Sequence, residues 1–217
     1  MKINEIFGEN IIQGEGPFVG TPTTFIRTFG CIAPFCEFCD TKYSWNNPTI
    51  ECFKMTIEDI MNKVNNYNNR VVVITGGEPY AQPDIYKLIN TLIDNDYEVH
   101  LETSGKAEIK KYPINDNFKI IMSPKQYDDE FKFYDLATLK CANYYKFVLE
   151  NEKEMQRILI FINQYKLDMK KCYLMPKGAT RTEQIKNSTF VIEKCCKYGL
   201  KYGCRLHVLL NDNKRGV

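Results

Sequence analysis

Three closely spaced cysteines are the residues of this sequence best suited to hold a metal centre. Cys31, Cys36 and Cys39 fall within nine residues, in a segment that also contains Pro34. Structural zinc usually takes four ligands, and the sequence has no second Cys-x-x-Cys pair and only two isolated histidines. Three thiolates without a fourth favour a [4Fe–4S] cluster with one iron open to another ligand. A zinc site completed by a distant residue, or three plain thiols, are the alternatives.

The other six cysteines show no spacing typical of a metal site. The total of nine is odd, and the N-terminal residues lack the apolar segment of a signal peptide, so a secreted disulfide framework is not expected. We interpret the six as free thiols buried among apolar residues, and we expect a cytoplasmic protein. They are Cys52, Cys141, Cys172, Cys195, Cys196 and Cys204.

Composition narrows the class of protein. The chain has 217 residues, 44% apolar residues and a net charge of +2. A disordered chain would be poorer in apolar residues, and the longest apolar runs fall short of a membrane span of about 20 residues. A zinc-stabilised module that binds nucleic acid would carry a basic stripe and a fourth zinc ligand, and the sequence shows neither.

The elements that must position the cysteines alternate between strands and helices. Strands are predicted at residues 22–29, 71–74, 97–102, 119–122, 145–149, 172–175 and 205–210. Helices are predicted from a capping box at Thr56 and Asp59, over residues 85–93 and 152–165, and over residues 182–198 before Gly199. Residues 103–118 and 123–143 look too irregular for crossover helices. The pattern predicts one α/β domain over residues 1–217, built as a modified, incomplete (βα) TIM-like barrel with few helices.

Glycine-rich and charged segments follow four of the predicted strands. They begin at Thr75, Glu102, Ser123 and Met175. Each segment alone would be read as a turn. Because ligands bind at the carboxyl ends of parallel strands, their common placement predicts one shared pocket.

With these residues in view, the sequence resembles the radical S-adenosylmethionine (SAM) superfamily. The resemblance rests on the cysteine triplet after one strand and on Gly-Gly-Glu-Pro at residues 76–79 after the next. Gln-Gly-Glu-Gly at residues 13–16, Phe-Ile-Arg at 25–27, Trp45, Ser-Pro-Lys at 123–125 and the segment from His207 onward narrow it to the 7-carboxy-7-deazaguanine synthase family. The spacing Cys-x4-Cys-x2-Cys is one residue longer than the usual Cys-x3-Cys-x2-Cys, so no role is carried over to residues 32–35.

The resemblance implies a radical SAM carbon–nitrogen lyase. Members of the family convert 6-carboxy-5,6,7,8-tetrahydropterin to 7-carboxy-7-deazaguanine and release ammonia, a step of queuosine and other deazapurine biosynthesis. The implied cofactors are a [4Fe–4S] cluster, SAM and Mg²⁺. The implied partners are an electron donor such as flavodoxin or ferredoxin and a second copy of the chain, with no nucleic acid and no membrane. The alternative is another radical SAM enzyme, such as a glycyl radical enzyme activase, which leaves residues 13–16 and Arg27 unexplained.

By the same resemblance, Cys31, Cys36 and Cys39 hold the cluster, and no side chain is expected to act as a catalytic acid or base. Gly76 and Gly77 would let the backbone approach the methionyl amino group of SAM, with Glu78 beside that ammonium. The residues expected at SAM are Phe38, Cys39, Asp40, Gly77, Glu78, Ser123, Pro124, Lys125, Met175, Pro176 and Lys177.

The pterin is expected to meet a different set of residues. Arg27 is suited to the substrate carboxylate, and an internal ion pair is the rival reading. Thr41 is implied as an Mg²⁺ ligand together with substrate oxygens, although its position also suits a helix cap. The residues expected at the substrate are Ile12, Gln13, Gly14, Arg27, Thr75, Glu102, His207 and Val217.

Overall fold

Seven parallel strands form most of a nine-stranded sheet in the computed structural model, which describes residues 1–37, 39–46, 52–110, 113–212 and 214–216. The strands are β1 (Lys2–Phe7), β2 (Thr23–Thr28), β3 (Phe53–Lys54), β4 (Val71–Gly76), β5 (Glu98–Thr103), β6 (Phe118–Met122), β7 (Lys125–Tyr127), β8 (Glu130–Lys132), β9 (Tyr144–Leu149), β10 (Cys172–Pro176) and β11 (Lys201–Tyr202). Their order in the sheet is β11-β10-β9-β6-β5-β4-β2-β1-β3, and β7 pairs with β8 in a separate hairpin. β1 and β3 are antiparallel additions at one edge.

Six helices flank the strands in the described part of the chain. They are α1 (Ile57–Val64), α2 (Ile85–Asp94), α3 (Leu136–Lys140), α4 (Glu152–Gln164), α5 (Arg181–Tyr198) and α6 (Leu206–Asn211). α1 begins at the predicted capping box, in which the Thr56 hydroxyl accepts from the backbone of Asp59. α5 ends at Gly199, whose φ of 69° is the left-handed conformation that glycine adopts readily.

Apolar residues of the helices cover the buried strands. Val72, Val73 and Ile74 of β4 are fully buried, as are Leu88 and Leu92 of α2. A β-branched run of this kind is typical of a strand covered on both faces. None of the described helices is long and apolar enough to cross a membrane.

The predicted fold class, an incomplete α/β barrel with few helices, is confirmed. The sheet is open in the described residues, because its edge strands β11 and β3 do not pair with each other. In their described part, residues 103–118 and 123–143 contain no crossover helix; they hold the end of β5, the start of β6, the β7–β8 hairpin and the five-residue α3.

One predicted strand is wrong. The segment at residues 205–210 is not a strand, because residues 206–210 belong to the short helix α6 and Arg205 immediately precedes it. The backbone N–H of Leu206 donates to the Gly14 carbonyl, and Glu15 forms an isolated bridge with Arg205. Contacts with this distant segment therefore anchor the start of a helix where the apolar pattern predicts a strand. β1 and β3, at the antiparallel edge, were not predicted.

Parallel pairing brings the ends of the strands to one edge. Arg27 is paired with Thr75, and Thr28 with Gly76. Thr103, at the end of β5, is paired with Met122 at the end of β6. The segments that follow β2, β4, β5 and β6 therefore leave the sheet at the same side.

Candidate active site

A cavity of about 570 Å³ lies at the carboxyl ends of the parallel strands. Seventeen of the predicted site residues line it: Ile12, Gln13, Gly14, Arg27, Cys31, Cys36, Cys39, Asp40, Thr41, Thr75, Gly77, Glu102, Ser123, Lys125, Met175, Lys177 and His207. The three cysteines, Asp40 and Thr41 lie in the loop after β2, and Arg27 lies on β2 itself. The other groups come from the ends of β4, β5, β6 and β10 and from the segments around residues 12 and 207. The expectation of a shared pocket is thus met by the geometry.

Five predicted site residues are not placed in the cavity. Phe38 and Val217 lie outside the described residues. Pro124 and Pro176 are absent from the lining of this cavity. Glu78 is fully buried behind the wall.

The Glu78 carboxylate joins two loops instead of facing a ligand. It accepts hydrogen bonds from the Thr103 hydroxyl at 2.6 Å, from the backbone N–H of Ser104 at 3.0 Å and from the Ser104 hydroxyl. The backbone N–H of Tyr80 donates to it at 3.3 Å. These bonds do not fit the predicted place beside the methionyl ammonium, because both carboxylate oxygens already accept from the protein.

Gly77 has a structural role that the sequence did not reveal. A Cβ at this position would lie 1.8 Å from the carbonyl oxygen of Gly30 and 3.2 Å from the backbone nitrogen of Cys31. The absence of a side chain therefore lets the end of β4 pack directly on the loop that carries the cysteines. At Gly76, φ is +120°, which also favours glycine.

The three thiols line the cavity together without forming a disulfide. All three are free and half-buried. Among the described residues, no group of three or more His, Cys, Asp or Glu is placed to hold a metal ion. A [4Fe–4S] cluster held by three thiolates needs all three along one cavity, and these three thiols line the same cavity.

Aromatic side chains and two lysines lie near these thiols: Lys106 acts on Cys31, and Lys125 acts on Cys36. The indole N–H of Trp45 donates to Cys39 Sγ at 3.4 Å, and the Trp45 ring stacks on Phe35. Burial raises the pKa of the Cys31 thiol, and the nearby Lys106 ammonium opposes that rise. We call the region formed by the three cysteines, Lys106 and Tyr127 the cysteine end of the cavity.

Buried charges form the opposite wall, which we call the charged end. Lys146, on β9, has a side chain that is only 3% exposed and lies 2.7 Å from Glu102 and 2.9 Å from Glu15. Glu102 also accepts from the Thr75 hydroxyl at 3.0 Å. Burial disfavours the Lys146 ammonium, but Glu102 and Glu15 outweigh it and raise its pKa.

Arg205 completes the charged end. Its Nε donates to Glu15 at 2.8 Å, one terminal nitrogen donates to the Gly178 carbonyl at 2.6 Å, and the other contacts Asp40. Burial alone would raise the pKa of Glu15, yet Lys146 and Arg205 hold that pKa well below its usual value. Each oxygen of the Glu15 carboxylate therefore has its own cationic partner, and the group is ionised.

His207 approaches the cavity across Gly14. A Cβ on Gly14 would lie 2.3 Å from Nδ1 of His207, so only glycine leaves room for the imidazole. Burial lowers the pKa of His207, against the attraction of Glu15. The imidazole is therefore neutral at pH 7.

Arg27 already has an ionic partner inside the protein. Its Nε donates to Glu5 at 2.7 Å, and its guanidinium packs over the rings of Phe7 and Tyr43. Burial raises the pKa of Tyr43 to about 12, so its hydroxyl stays protonated and donates to Glu5 at 3.2 Å. The ion pair anticipated as a rival reading is present, and the guanidinium still lines the cavity.

Three further predicted residues have defined neighbours. Lys125 Nζ donates to the Ser123 hydroxyl at 2.7 Å, and burial lowers the pKa of Lys125. The Thr41 side chain does not cap the helical turn that follows it. Its hydroxyl lies 3.6 Å from Cys39 Sγ, which places it at the cysteine end.

Sequence reasoning missed the residues that balance the charged end. Glu15, Lys146 and Arg205 were not singled out, although Glu15 lies inside a motif that was. A lysine in the otherwise apolar strand at residues 144–149 was an available signal, because a charge buried in a sheet needs a partner. No local pattern marks its partners, since Glu15 is 131 residues away.

Comparisons with known proteins agree with this geometry. The Radical SAM superfamily matches residues 25–135, about half of the chain. A 7-carboxy-7-deazaguanine synthase from Halobacterium salinarum is 31% identical over 98% of this chain and 91% of its own length. One from Hyperthermus butylicus is 28% identical over 97% of this chain and 92% of its own. The crystal structure of QueE from Escherichia coli superposes with a TM-score of 0.78 at 28% identity, covering 95% of this chain and 94% of that one.

Proposed function

The chain belongs to the 7-carboxy-7-deazaguanine synthase family of the radical SAM superfamily, and we propose that it converts 6-carboxy-5,6,7,8-tetrahydropterin to 7-carboxy-7-deazaguanine with release of ammonia. The predictions of the family and of a lyase are confirmed by these relatives. The observation that carries the proposal is a single cavity with three cysteines at one end and a charged set at the other. A zinc-stabilised nucleic-acid module has no support in this geometry.

The cysteine end supplies the place for the cofactors. Cys31, Cys36 and Cys39 would hold a [4Fe–4S] cluster, which together with SAM supplies a 5′-deoxyadenosyl radical when both are bound. Gly77 would present its backbone to the methionyl group. Lys125, held by Ser123, would neutralise the SAM carboxylate.

Further residues of the cavity wall would surround the rest of SAM. Asp40 would flank the adenosine, and Met175 and Lys177 would border the adenine. Arg205 holds Asp40 and Glu150 pairs with Lys177, so both side chains are already oriented.

The charged end would orient the pterin. Thr75 and Lys146 fix the Glu102 carboxylate, which would accept hydrogen bonds from the guanidine-like edge of the substrate. Arg27 would meet the substrate carboxylate with its terminal nitrogens, since its Nε is used by Glu5. Ile12, Gln13, Gly14 and His207 would close the pocket over the ring.

A magnesium ion would bind only with substrate present. Thr41 supplies one neutral oxygen at the cavity, which is a weak site for Mg²⁺ without substrate oxygens. We further propose a cytoplasmic homodimer that receives electrons from a flavodoxin or ferredoxin.

The test is an anaerobic assay of the purified chain reconstituted with iron and sulfide. With SAM, reductant, Mg²⁺ and the carboxytetrahydropterin, we expect a product with deazaguanine absorbance and free ammonia, and a reduced rate when Mg²⁺ is chelated. SAM cleavage without that product would contradict the substrate and favour another radical SAM reaction. A colourless protein that binds zinc instead of iron would contradict the cofactor.

A further inference from the structure

Lys106 is a buried lysine whose ammonium points into the loop between the first two cysteines, residues 31–36, which we call the cysteine loop. The residue is 9% exposed. Its Nζ donates to the carbonyl oxygen of Ile32 at 2.5 Å, to that of Pro34 at 2.6 Å and to the Tyr127 hydroxyl at 3.1 Å. An ammonium has three N–H donors, so all three are used.

The Tyr127 hydroxyl links Lys106 to a cysteine. It lies 3.0 Å from Cys36 Sγ. A thiolate bound to iron carries no proton, so in the loaded protein Tyr127 must donate to Cys36. Because the same oxygen accepts from Lys106, the positive charge polarises the hydroxyl and strengthens that bond.

In the described part of the chain, Lys106 forms no ion pair with a carboxylate. A buried ammonium is costly unless an anion lies close by, and three thiolates in the same cavity wall would supply negative charge. The arrangement is therefore suited to a state in which the cysteines are ionised.

Lys106 also bears on the unusual length of the cysteine loop. This loop has four residues between Cys31 and Cys36, one more than the usual spacing. Lys106 binds the carbonyls of Ile32 and Pro34, which are two of those four. The backbone that carries Lys106 is itself anchored, because the backbone N–H of Ser104, two residues earlier, donates to the Glu78 carboxylate.

We propose that Lys106 and Tyr127 are positioning residues for the cluster. Lys106 braces the long cysteine loop, and the Lys106–Tyr127–Cys36 chain stabilises the reduced cluster and so raises its reduction potential. The proposal rests on the proposed cluster and is independent of the substrate.

The test compares five reconstituted variants with the native chain, without SAM or substrate. Tyr127→Phe removes only the hydroxyl, and Lys106→Met removes the charge at similar length. Tyr134→Phe and Lys110→Met are matched controls on exposed residues nearby. The measurements are iron and sulfide content, the potential of half-reduction followed by electron paramagnetic resonance, and the rate of iron loss to a chelator.

We expect Tyr127→Phe to bind as much iron as the native chain, with a more negative potential. At a fixed potential the ratio of reduced to oxidised cluster should fall about tenfold, which is ~59 mV for one electron. Lys106→Met should show at least that shift and lose iron roughly tenfold faster. Lys106→Arg, which keeps the charge, should have a reduction potential close to that of the native chain.

Other outcomes separate the claims. Unchanged potentials in both test variants, or equal shifts in the two controls, would overturn the inference while leaving the proposed function intact. If Lys106→Met takes up no cluster, the reduction potential of Tyr127→Phe alone decides whether the inference holds. A native chain that holds no cluster at all would instead defeat the proposed function.

Discussion

The two ends of the cavity differ in how their charge is balanced. At the charged end, Lys146 and Arg205 pair with carboxylates that the chain itself provides. At the cysteine end, half-buried thiols face Lys106, which forms no ion pair with a carboxylate in the described residues. The charges of the charged end are thus balanced before any ligand binds. The cysteine end gains its negative charge when the cysteines bind the cluster as thiolates. Substitutions at the first should affect folding, and those at the second should affect cofactor loading.

The largest effect is expected at the cysteine end. Cys36→Ala should abolish SAM cleavage, because one iron loses its ligand, while the free energy of unfolding of the cluster-free protein changes by about 0.5 kcal/mol or less. Iron analysis and a SAM cleavage assay measure the loss of the cluster and of its reaction. Denaturant unfolding measures the change in stability. Cys196→Ala, at an exposed cysteine, is the control and should keep the cluster. A Cys36→Ala protein that still cleaves SAM would break the comparison.

The next effect is expected at the charged end. Lys146→Met leaves the partly buried Glu15 and Glu102 without their shared, fully buried cation, which should cost about 3–5 kcal/mol of unfolding free energy. Denaturant unfolding of the cluster-free protein measures it. Lys132→Met, which removes an exposed pair with Glu130, is the matched control and should leave the midpoint unchanged. An equal loss of unfolding free energy in Lys146→Met and Lys132→Met would show that a buried ion pair matters no more here than an exposed one.

A smaller effect tests the join between β4 and the cysteine loop. Gly77→Ala places a Cβ against the Gly30 carbonyl, so the loop must shift, at a cost of about 1–3 kcal/mol and with lower iron content. Gly199→Ala also strains the backbone but has no atom within 4 Å of the added Cβ. It should lose stability and keep its iron. Full iron in Gly77→Ala would refute the packing role.

The smallest effect is a pH dependence. Burial lowers the pKa of His207 below its usual value of 6.5 in the folded protein. Below about pH 6.5 the unfolded chain binds a proton that the folded chain does not, so stability falls as pH falls towards the lowered pKa. His207→Gln should remove part of this decline in the free energy of unfolding. His100, whose pKa is also lowered by burial, and Glu15, whose pKa is lowered by Lys146 and Arg205, contribute to the rest of the decline, and an unchanged slope in His207→Gln would contradict the assignment.

The sequence predicted the features that depend on local pattern. The cysteine spacing, the buried strand predicted at residues 71–74 and the capping box of α1 follow from neighbouring residues. Strand alternation was enough to place four loops at one edge. The predicted strand at residues 205–210 failed because contacts with Gly14 and Glu15 decide its conformation. Tertiary contact overrode a short apolar pattern.

The roles of two motif residues were also beyond sequence reasoning. The approach of the Gly77 backbone to SAM stays a prediction, and its missing side chain has a second role, because it makes room for Gly30. Glu78 was read as a ligand group, whereas it clamps Thr103 and Ser104. The sequence motif is the same whether a residue binds the ligand or holds the cavity wall behind it.

The contact between Glu15 and Arg205 has a consequence for the order of folding. Their side chains meet across 190 residues of sequence, whereas Lys106 and Tyr127 are 21 residues apart. Closing a longer loop costs more chain entropy, and contacts between distant residues form late. We therefore expect the wall that faces the pterin to mature last, when α6 docks on the segment around Gly14. In pulse-labelling hydrogen exchange, the amide of Leu206 should become protected after those of β4 and β5.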